Sequence, residues 1–349
     1  MPLQTHAPET DLALPLPHGE HWDPHTIHTH YFGFSVPEAE LGAFLYVRYQ
    51  PAFPLSQGGV CIFRGLQNVT PLDMEFMDYQ ITMPWPEIGG NVIETANGLR
   101  IEFVEPGRSA RVSFTSSDGS VSLDILQTAV TPLLARGHVM PGEEQHHDAS
   151  RSAGGSEQFM HCTGEIVLRG ERHEVDCFAP RDRSWRQVRA EPQGGAAPVP
   201  PVAWTPMCFE GELVFNQISI EAPDSDPAWQ GLYEIPTGRP THHFAWLYHE
   251  GELRPITRVR RNVLDYHPQM FAALRQEIEA EDDHGRTYLF TGEAIAMAAI
   301  PAWPNAGFHD AVYRWHDEQG RVTHCTCQEI WSDKYQRAMN MRARNHARV

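Results

Sequence analysis

The densest group of side chains able to do chemistry runs from Arg181 to Arg189, where the sequence reads Arg-Asp-Arg-Ser-Trp-Arg-Gln-Val-Arg. Four guanidinium groups surround one carboxyl group, Asp182, and one flat apolar ring, Trp185. A carboxyl group held by Arg181 or Arg189 can donate or accept a proton while an aromatic face stabilises a cationic intermediate. Arginines are costly to bury unless they are paired, so an Arg–Asp bridge between two domains is the structural alternative.

His243 is a second candidate, because it precedes Trp246 and Tyr248 in a run that is typical of a strand. Imidazole titrates near neutral pH, so His243 is suited to relay protons in an aromatic pocket, although a hydrogen-bonded core histidine fits the same pattern. Spacing along the chain does not identify which groups meet in a folded protein. The acid could equally be Asp265, Glu234 or Asp310.

Metal ligation has weaker support. His28 and His30 would point to the same side of a strand, but no third ligand is visible, so we predict no metal site. Cys325 and Cys327 also share one face of a strand, and two buried structural thiols are the favoured interpretation. The six cysteines include no Cys-x-x-Cys pair, and in a reducing compartment we expect no disulfides.

Composition excludes several classes of protein. The 349 residues carry 27 basic and 45 acidic side chains, a net charge of −18, which disfavours nucleic-acid binding. No apolar run reaches the roughly 18 residues of a membrane span, and no signal peptide is evident, so a cytoplasmic protein without stable membrane insertion is expected. The motifs of dinucleotide binding, nucleotide hydrolysis, zinc proteolysis and α/β-hydrolases are absent, and we expect no cofactor. The basic stretch at 334–349 indicates a solvated C-terminal helix or a frayed end.

Alternation of apolar and polar residues dominates the chain, as at 99–103 and 121–125, and turn-forming pairs such as Asn97-Gly98 and Asp118-Gly119 separate the runs. About sixteen to twenty strands are predicted. The segment 268–281 fits a helix or a strand equally well. A Pro/Gly/Ala-rich break at 192–201 divides the chain, so we predict an all-β fold of two consecutive antiparallel barrels or sandwiches with few helices. The domains are 1–178 and 179–349, with a boundary uncertain by about 15 residues.

The Arg181-Asp182-Arg183-Ser184-Trp185 segment resembles the Arg-Asp-His-Ser-Trp-Gly-x-Arg signature of a bacterial family of tandem lipocalin-like proteins, which is distantly similar to carotenoid 1,2-hydratases and AttH-like proteins. The stretches 29–34, 41–46, 156–159, 164–166 and 327–329 also resemble that family. Two positions depart from the signature: Arg183 stands in place of histidine and Arg186 in place of glycine. If that histidine carries the proton in relatives, this chain has lost or moved it.

The resemblance implies two lipocalin-like barrels with a hydrophobic ligand within or between them and chemistry without a cofactor. We therefore expect a lyase, hydratase, isomerase or cyclase that acts by acid/base chemistry on an apolar terpenoid, steroid, polyketide or aromatic molecule. Asp182 and His243 are its predicted catalytic residues. The predicted substrate contacts are Arg181, Ser184, Trp185, Arg189, Trp246 and Tyr248. A non-catalytic carrier of a hydrophobic molecule and an interaction scaffold are the alternatives, and a homodimer is compatible with either.

Overall fold

The computed structural model describes residues 3–13, 15, 17–136, 154–188, 201–235, 240–302 and 306–346. Apart from Pro201, the predicted break at 192–201 lies outside these ranges. Twelve antiparallel strands within them form a first sheet: β1 (Thr26–Val36), β2 (Leu41–Gln50), β3 (Leu55–Arg64), β4 (Phe76–Pro84), β5 (Glu87–Gly89), β6 (Val92–Glu94), β7 (Arg100–Glu105), β8 (Ser109–Thr115), β9 (Val121–Ala129), β10 (Leu134–Arg136), β11 (Gly154–Leu168) and β12 (Glu171–Val188).

A second antiparallel sheet follows, made of β13 (Val202–Trp204), β14 (Met207–Phe209), β15 (Leu213–Ile220), β16 (His242–His249), β17 (Glu252–Tyr266), β18 (Ala273–Asp282), β19 (Thr287–Ala299), β20 (Ala306–Asp317) and β21 (Val322–Ser332). The helix α1 (Asp333–His346) ends the described chain. Short 3₁₀ turns occupy Pro8–Ala13, Pro37–Ala39, Pro71–Asp73 and Pro227–Trp229. The predicted all-β fold with few helices is confirmed.

The two sheets differ in closure. The first runs in the order β4-β3-β2-β1-β12-β11-β9-β8-β7-β6-β5, with β10 beside β11, and forms an open half-barrel. In the second, β13 pairs with both β21 and β15, which closes an eight-stranded barrel. The boundary predicted at 178 falls inside β12, and the chain passes from the first sheet to the second between Val188 and Val202.

The two sheets pack face to face. All eleven residues of β1 are buried because each of its faces is covered. Phe32 and Phe34 lie in the core of the half-barrel, whereas Tyr31 projects toward the second sheet. Its ring centroid lies 5.7 Å from that of Trp204. Apolar residues at consecutive positions are typical of a strand covered on both faces, and Tyr31 and Phe32 of β1 fit this pattern.

The ambiguous segment at 268–281 is a turn followed by β18, in which buried and less buried residues alternate. Period two therefore outweighs the helical spacing in this segment. The basic C-terminal stretch is mainly the helix α1, and Tyr335 and Met339 pack with Trp229 and Trp331 in one apolar cluster. Within the described ranges, none of the helices has the length and apolar character needed to cross a membrane.

At Gly164 the backbone of β11 lies close to the backbone of β9. Its φ is +147°, and a β-carbon there would overlap the carbonyl oxygen of Asp124. We expect Gly164→Ala to lower the free energy of unfolding by about 2–5 kcal/mol, because backbone strain and overpacking add. Gly89→Ala is the matched control, since its β-carbon would meet nothing within 4 Å. Urea denaturation of both variants measures the difference, and equal stability would contradict this account.

Candidate functional site

A cavity of about 70 Å³ lies between the half-barrel and the barrel. It is partly open, and it combines charged groups from the first sheet with apolar walls from the second. The first sheet contributes Thr29, Tyr31, Tyr46, Arg136, Glu157, Asp182 and Ser184. The second contributes Val202, Trp204, Ile218, Phe308, Gln328 and Ile330.

Strand register places three polar side chains of the cavity side by side. Tyr31 of β1 is aligned with Asp182 of β12, which is aligned in turn with Glu157 of β11. Directly opposed residues of antiparallel strands have β-carbons about 4.5–5.5 Å apart, so the phenol and the two carboxyl groups form one row. Residues of β12 point alternately to its two sides. Asp182 points to the side of the second sheet, so the row lines the cavity.

Arg136 links the two carboxyl groups. Its Nη2 lies 2.7 Å from Asp182 Oδ2, and its Nε lies 3.3 Å from Glu157 Oε1. The same Nη2 donates to Ser184 Oγ at 2.6 Å. The side chains of Arg136 and Glu157 are each 3% exposed, and that of Asp182 is 17% exposed. One buried arginine therefore pairs with both carboxyl groups.

Glu157 also binds the second sheet. Asn216 Nδ2 donates to Glu157 Oε2 at 2.7 Å, and Asn216 Oδ1 accepts from Trp204 Nε1 at 2.7 Å. Burial raises the pKa of Glu157 to about 8, Arg136 opposes that rise, and Asp182 adds to it. The raised pKa favours the protonated form of Glu157 beside the ion pair of Asp182 and Arg136. Two carboxyl groups with different proton affinities therefore lie next to each other at the cavity wall.

Asp310, which the sequence also allowed as the acid, lies behind the same wall. Its side chain is inaccessible to solvent, and burial raises its pKa well above the usual value. The phenolic oxygen of Tyr31 lies 3.5 Å from Asp310 Oδ1 and 3.2 Å from Thr326 Oγ1. Asp310 is thus a second buried acid with a raised pKa, and it contacts Tyr31 of the cavity wall. Asp265 and Glu234, the remaining two acids of that group, are exposed at the surface.

The structure separates residues that the sequence analysis grouped together. Arg181 and Trp185 project from the face of β12 opposite to Asp182, since their positions differ from it by odd numbers. Arg181 contacts Asp11 and Gln158 instead. Trp185 lies with its ring centroid 5.3 Å from that of His6. The partner of Asp182 is Arg136 rather than Arg181, whereas Ser184 lines the cavity.

Three of the remaining predicted residues, His243, Trp246 and Tyr248, belong to β16. Trp246 is buried and aligned with Asn216, which places it beside the site, and Tyr248 packs against the same barrel core. His243 belongs to β16, but its side chain lies outside the described part of the structure. Arg189 also lies outside the described residues. The roles predicted for these two residues stay predictions.

Glu157, Arg136, Tyr31 and Asn216 were not among the predicted site residues. The sequence offers one signal for Glu157, its place in the stretch 156–159 that resembles the tandem lipocalin-like family. No sequence signal points to Arg136, which belongs to a strand of three residues. Only the register of β10, β11 and β12 brings the two together.

The histidines and cysteines considered as ligands have other partners. His28 Nδ1 accepts from the backbone N–H of Arg186 at 3.0 Å, and His30 Nδ1 lies 3.1 Å from Tyr49 Oη. Cys325 and Cys327 are buried free thiols. Among the described residues, no group of three or more histidine, cysteine or acidic side chains is placed to hold a metal ion.

The fold and the site define an all-β protein made of an open half-barrel and a closed eight-stranded barrel, with a polar cavity between its two sheets. The chain belongs to a family described as a domain of unknown function, DUF7064, whose model matches residues 15–333. Comparison with curated proteins gives no match.

Two solved structures have a similar backbone path. One is described as an AttH protein from Nitrosomonas europaea, with a TM-score of 0.48, 11% identity, and coverage of 88% of this chain and 91% of the other. The other is kievitone hydratase from Nectria haematococca, with a TM-score of 0.43, 13% identity, and coverage of 93% and 95%. At these identities and TM-scores the likeness concerns the chain path alone.

Glu157 should make the stability of the protein depend on pH. Its pKa is raised from 4.5 to about 8 on folding, so between these values the folded state holds one more proton than the unfolded state. Its contribution to stability is therefore present at low pH and is lost as the pH rises, by up to about 1.4 kcal/mol per pH unit. Urea denaturation between pH 5.5 and 7.5 measures the slope of the unfolding free energy against pH. Glu157→Gln should make this slope less negative than that of the wild type.

Glu165→Gln is the control, because Glu165 is 44% exposed and pairs only at the surface with Arg172. It should leave the slope of the wild-type protein unchanged. Identical slopes for Glu157→Gln and the wild type would mean that Glu157 is ionised in the folded protein at these pH values.

Proposed function

We propose that the protein is a cofactor-independent lyase, hydratase, isomerase or cyclase that acts on an apolar small molecule at the cavity between its two sheets. The observation that carries this proposal is that Glu157 and Asp182 pair with one buried arginine, Arg136, at the wall of that cavity, where burial raises the pKa of Glu157. A pair of carboxyl groups in opposite protonation states is what general acid and general base chemistry needs.

Hydration of an alkene illustrates the use of this pair. Glu157 donates its proton to one alkene carbon, and positive charge develops on the other carbon beside the indole of Trp204. Water adds to that carbon and gives its proton to Asp182, so the net change is the addition of one water molecule. Asp182 is partly exposed, which allows solvent to carry the proton away while Glu157 is reprotonated. Isomerisation uses the same two steps without water, with Asp182 removing a proton from carbon.

The dimensions of the cavity limit what it holds. About 70 Å³ is the space of roughly two water molecules, far below the volume of a whole terpenoid or steroid. In this proposal the cavity therefore receives the reacting carbons and one water molecule. The rest of the substrate extends through the open side, along the apolar side chains of Ile218 and Phe308.

The experiment begins with protein purified from its own host. Native mass spectrometry followed by solvent extraction identifies any bound molecule, and that molecule is incubated with the protein in D₂O and in H₂¹⁸O. Incorporation of deuterium or ¹⁸O supports the proposed enzyme. A molecule that is bound in a one-to-one ratio and released without label would overturn it in favour of the carrier.

Two substitutions assign the roles. Glu157→Gln and Asp182→Asn should each lower the labelling rate by about 100-fold or more and leave the melting temperature within a few degrees, because each removes one proton-transfer group and keeps the side-chain shape. Glu165→Gln should keep the wild-type rate. If Asp310→Asn abolishes labelling while Glu157→Gln does not, then Asp310 is the acid and our assignment is wrong.

A further inference from the structure

The second face of β12 carries a pair of buried arginines that the proposed reaction does not use. Arg181 is aligned with Phe32 of β1 and Gln158 of β11, and Arg183 is aligned with His30 and Ser156. Both arginine side chains are 3% exposed. They therefore form one compact cationic patch on the side of the half-barrel, with the strand itself between this patch and the cavity of Asp182.

The chain covers this patch with its own N-terminal segment, Pro8–Ala13. Asp11 Oδ2 lies 2.7 Å from Arg181 Nη2, and Asp11 Oδ1 lies 3.0 Å from Arg183 Nη1. Arg183 Nη1 also donates to the carbonyl oxygen of Thr10 at 2.9 Å. One carboxylate thus occupies a position between two guanidinium groups, and the three buried side chains together carry a net positive charge.

Asp11 is the deepest point of the segment. Its side chain is fully buried, whereas Pro8 and Glu9 are exposed and Leu12 is 47% exposed. From Pro8 to Leu12 the segment therefore has no large apolar side chain in the core. The segment is held by the pairing of Asp11 with Arg181 and Arg183 and by the hydrogen bond that the backbone N–H of Gly107 donates to Asp11 Oδ2, rather than by burial of apolar surface.

Several donor atoms of the patch lack a partner within the part of the chain that the structure describes. Arg181 Nη1, Arg183 Nη2 and His30 Nε2 are buried and make no hydrogen bond to any described residue. Burial of a polar atom without a hydrogen bond is unfavourable. Burial also lowers the pKa of Arg183 to about 10, against the opposing effect of Asp11. Asp11 alone thus leaves the patch with unused hydrogen-bonding capacity.

We propose that Arg181 and Arg183 form a carboxylate-binding site, that Asp11 is its internal occupant, and that a carboxylate-bearing small molecule displaces the segment Pro8–Ala13. Two guanidinium groups match the paired oxygens of a carboxylate. The ring of Phe103, 6.0 Å from Arg181 Cζ, and that of His30, 5.9 Å from Phe103, provide an aromatic flank for the ligand's apolar body.

The exchange is balanced electrostatically, since one carboxylate replaces another. The ligand adds apolar contacts that Asp11 cannot make, and the released segment regains conformational freedom. The cost is the loss of the segment's backbone contacts, such as the one from Arg183 to Thr10. This site lies on the opposite face of β12 from Asp182, so it can exist whether or not the proposed reaction is correct.

The first test uses the wild-type protein with benzoate as the probe and benzamide as its neutral counterpart. Hydrogen–deuterium exchange of the peptide covering residues 3–13 is measured across a titration of each. Benzoate should increase exchange in this peptide with saturation, and benzamide should not. Unchanged exchange at high benzoate concentration, or equal effects of the two probes, would overturn the proposal.

The second test removes the negative charge of Asp11, which competes with the ligand for the two arginines in this proposal. Asp11→Asn keeps the side-chain shape and removes the charge, so benzoate should bind about tenfold more tightly or better by calorimetry, because the open form is more populated. Asp124→Asn is the control, since that carboxylate pairs with Arg111 at the surface and its loss changes the net charge equally. Benzoate affinity that is unchanged in Asp11→Asn, or equally raised in Asp124→Asn, would contradict the proposal.

Discussion

The structure depends on one constraint: β12 is covered on both faces, yet it carries charged residues at three consecutive positions. Each charge must find a partner on its own side of the strand, because an unpaired buried charge is far more costly than a paired one. Asp182 finds Arg136 on the side of the barrel. Arg181 and Arg183 find Asp11 on the side of the half-barrel. The two candidate sites of the molecule arise from these two solutions.

The same constraint explains why two short, poorly patterned segments matter. The half-barrel is open, so β12 needs charged partners from segments outside the main order of its strands. The three-residue strand β10 supplies Arg136, and the N-terminal segment supplies Asp11. Neither segment has a strong periodic signal, but each satisfies a charge that β12 would otherwise bury alone. Their positions follow from this electrostatic pairing together with backbone pairing, since β10 pairs with β11 and Thr5 forms a bridge with Leu134.

A second buried charge network in the barrel provides a contrast. Arg261 pairs with Glu221, at 3.3 Å, and with Glu329. The other oxygen of Glu221 accepts from Trp229 and Tyr266, each at 2.8 Å. All four carboxylate oxygens there accept at least one hydrogen bond, which is typical of a structural network that joins strands. In the cluster of Glu157 one arginine also pairs with two carboxyl groups, but those groups face a cavity.

The sequence alone determined the fold class, because alternation and turn residues act locally. The alternation at 99–103 and 121–125 predicts strands there, whichever strands they pair with in the folded protein. It also marked the segment of β12 around Asp182 as chemically unusual. Tertiary structure decided which sheet closes and which partner each charge has. Asp182 pairs with Arg136 instead of the adjacent Arg181, and Arg181 pairs with a residue 170 positions away. The physical reason is that side-chain direction follows from strand period, whereas the partner across the strand follows from register and packing, which no local pattern encodes.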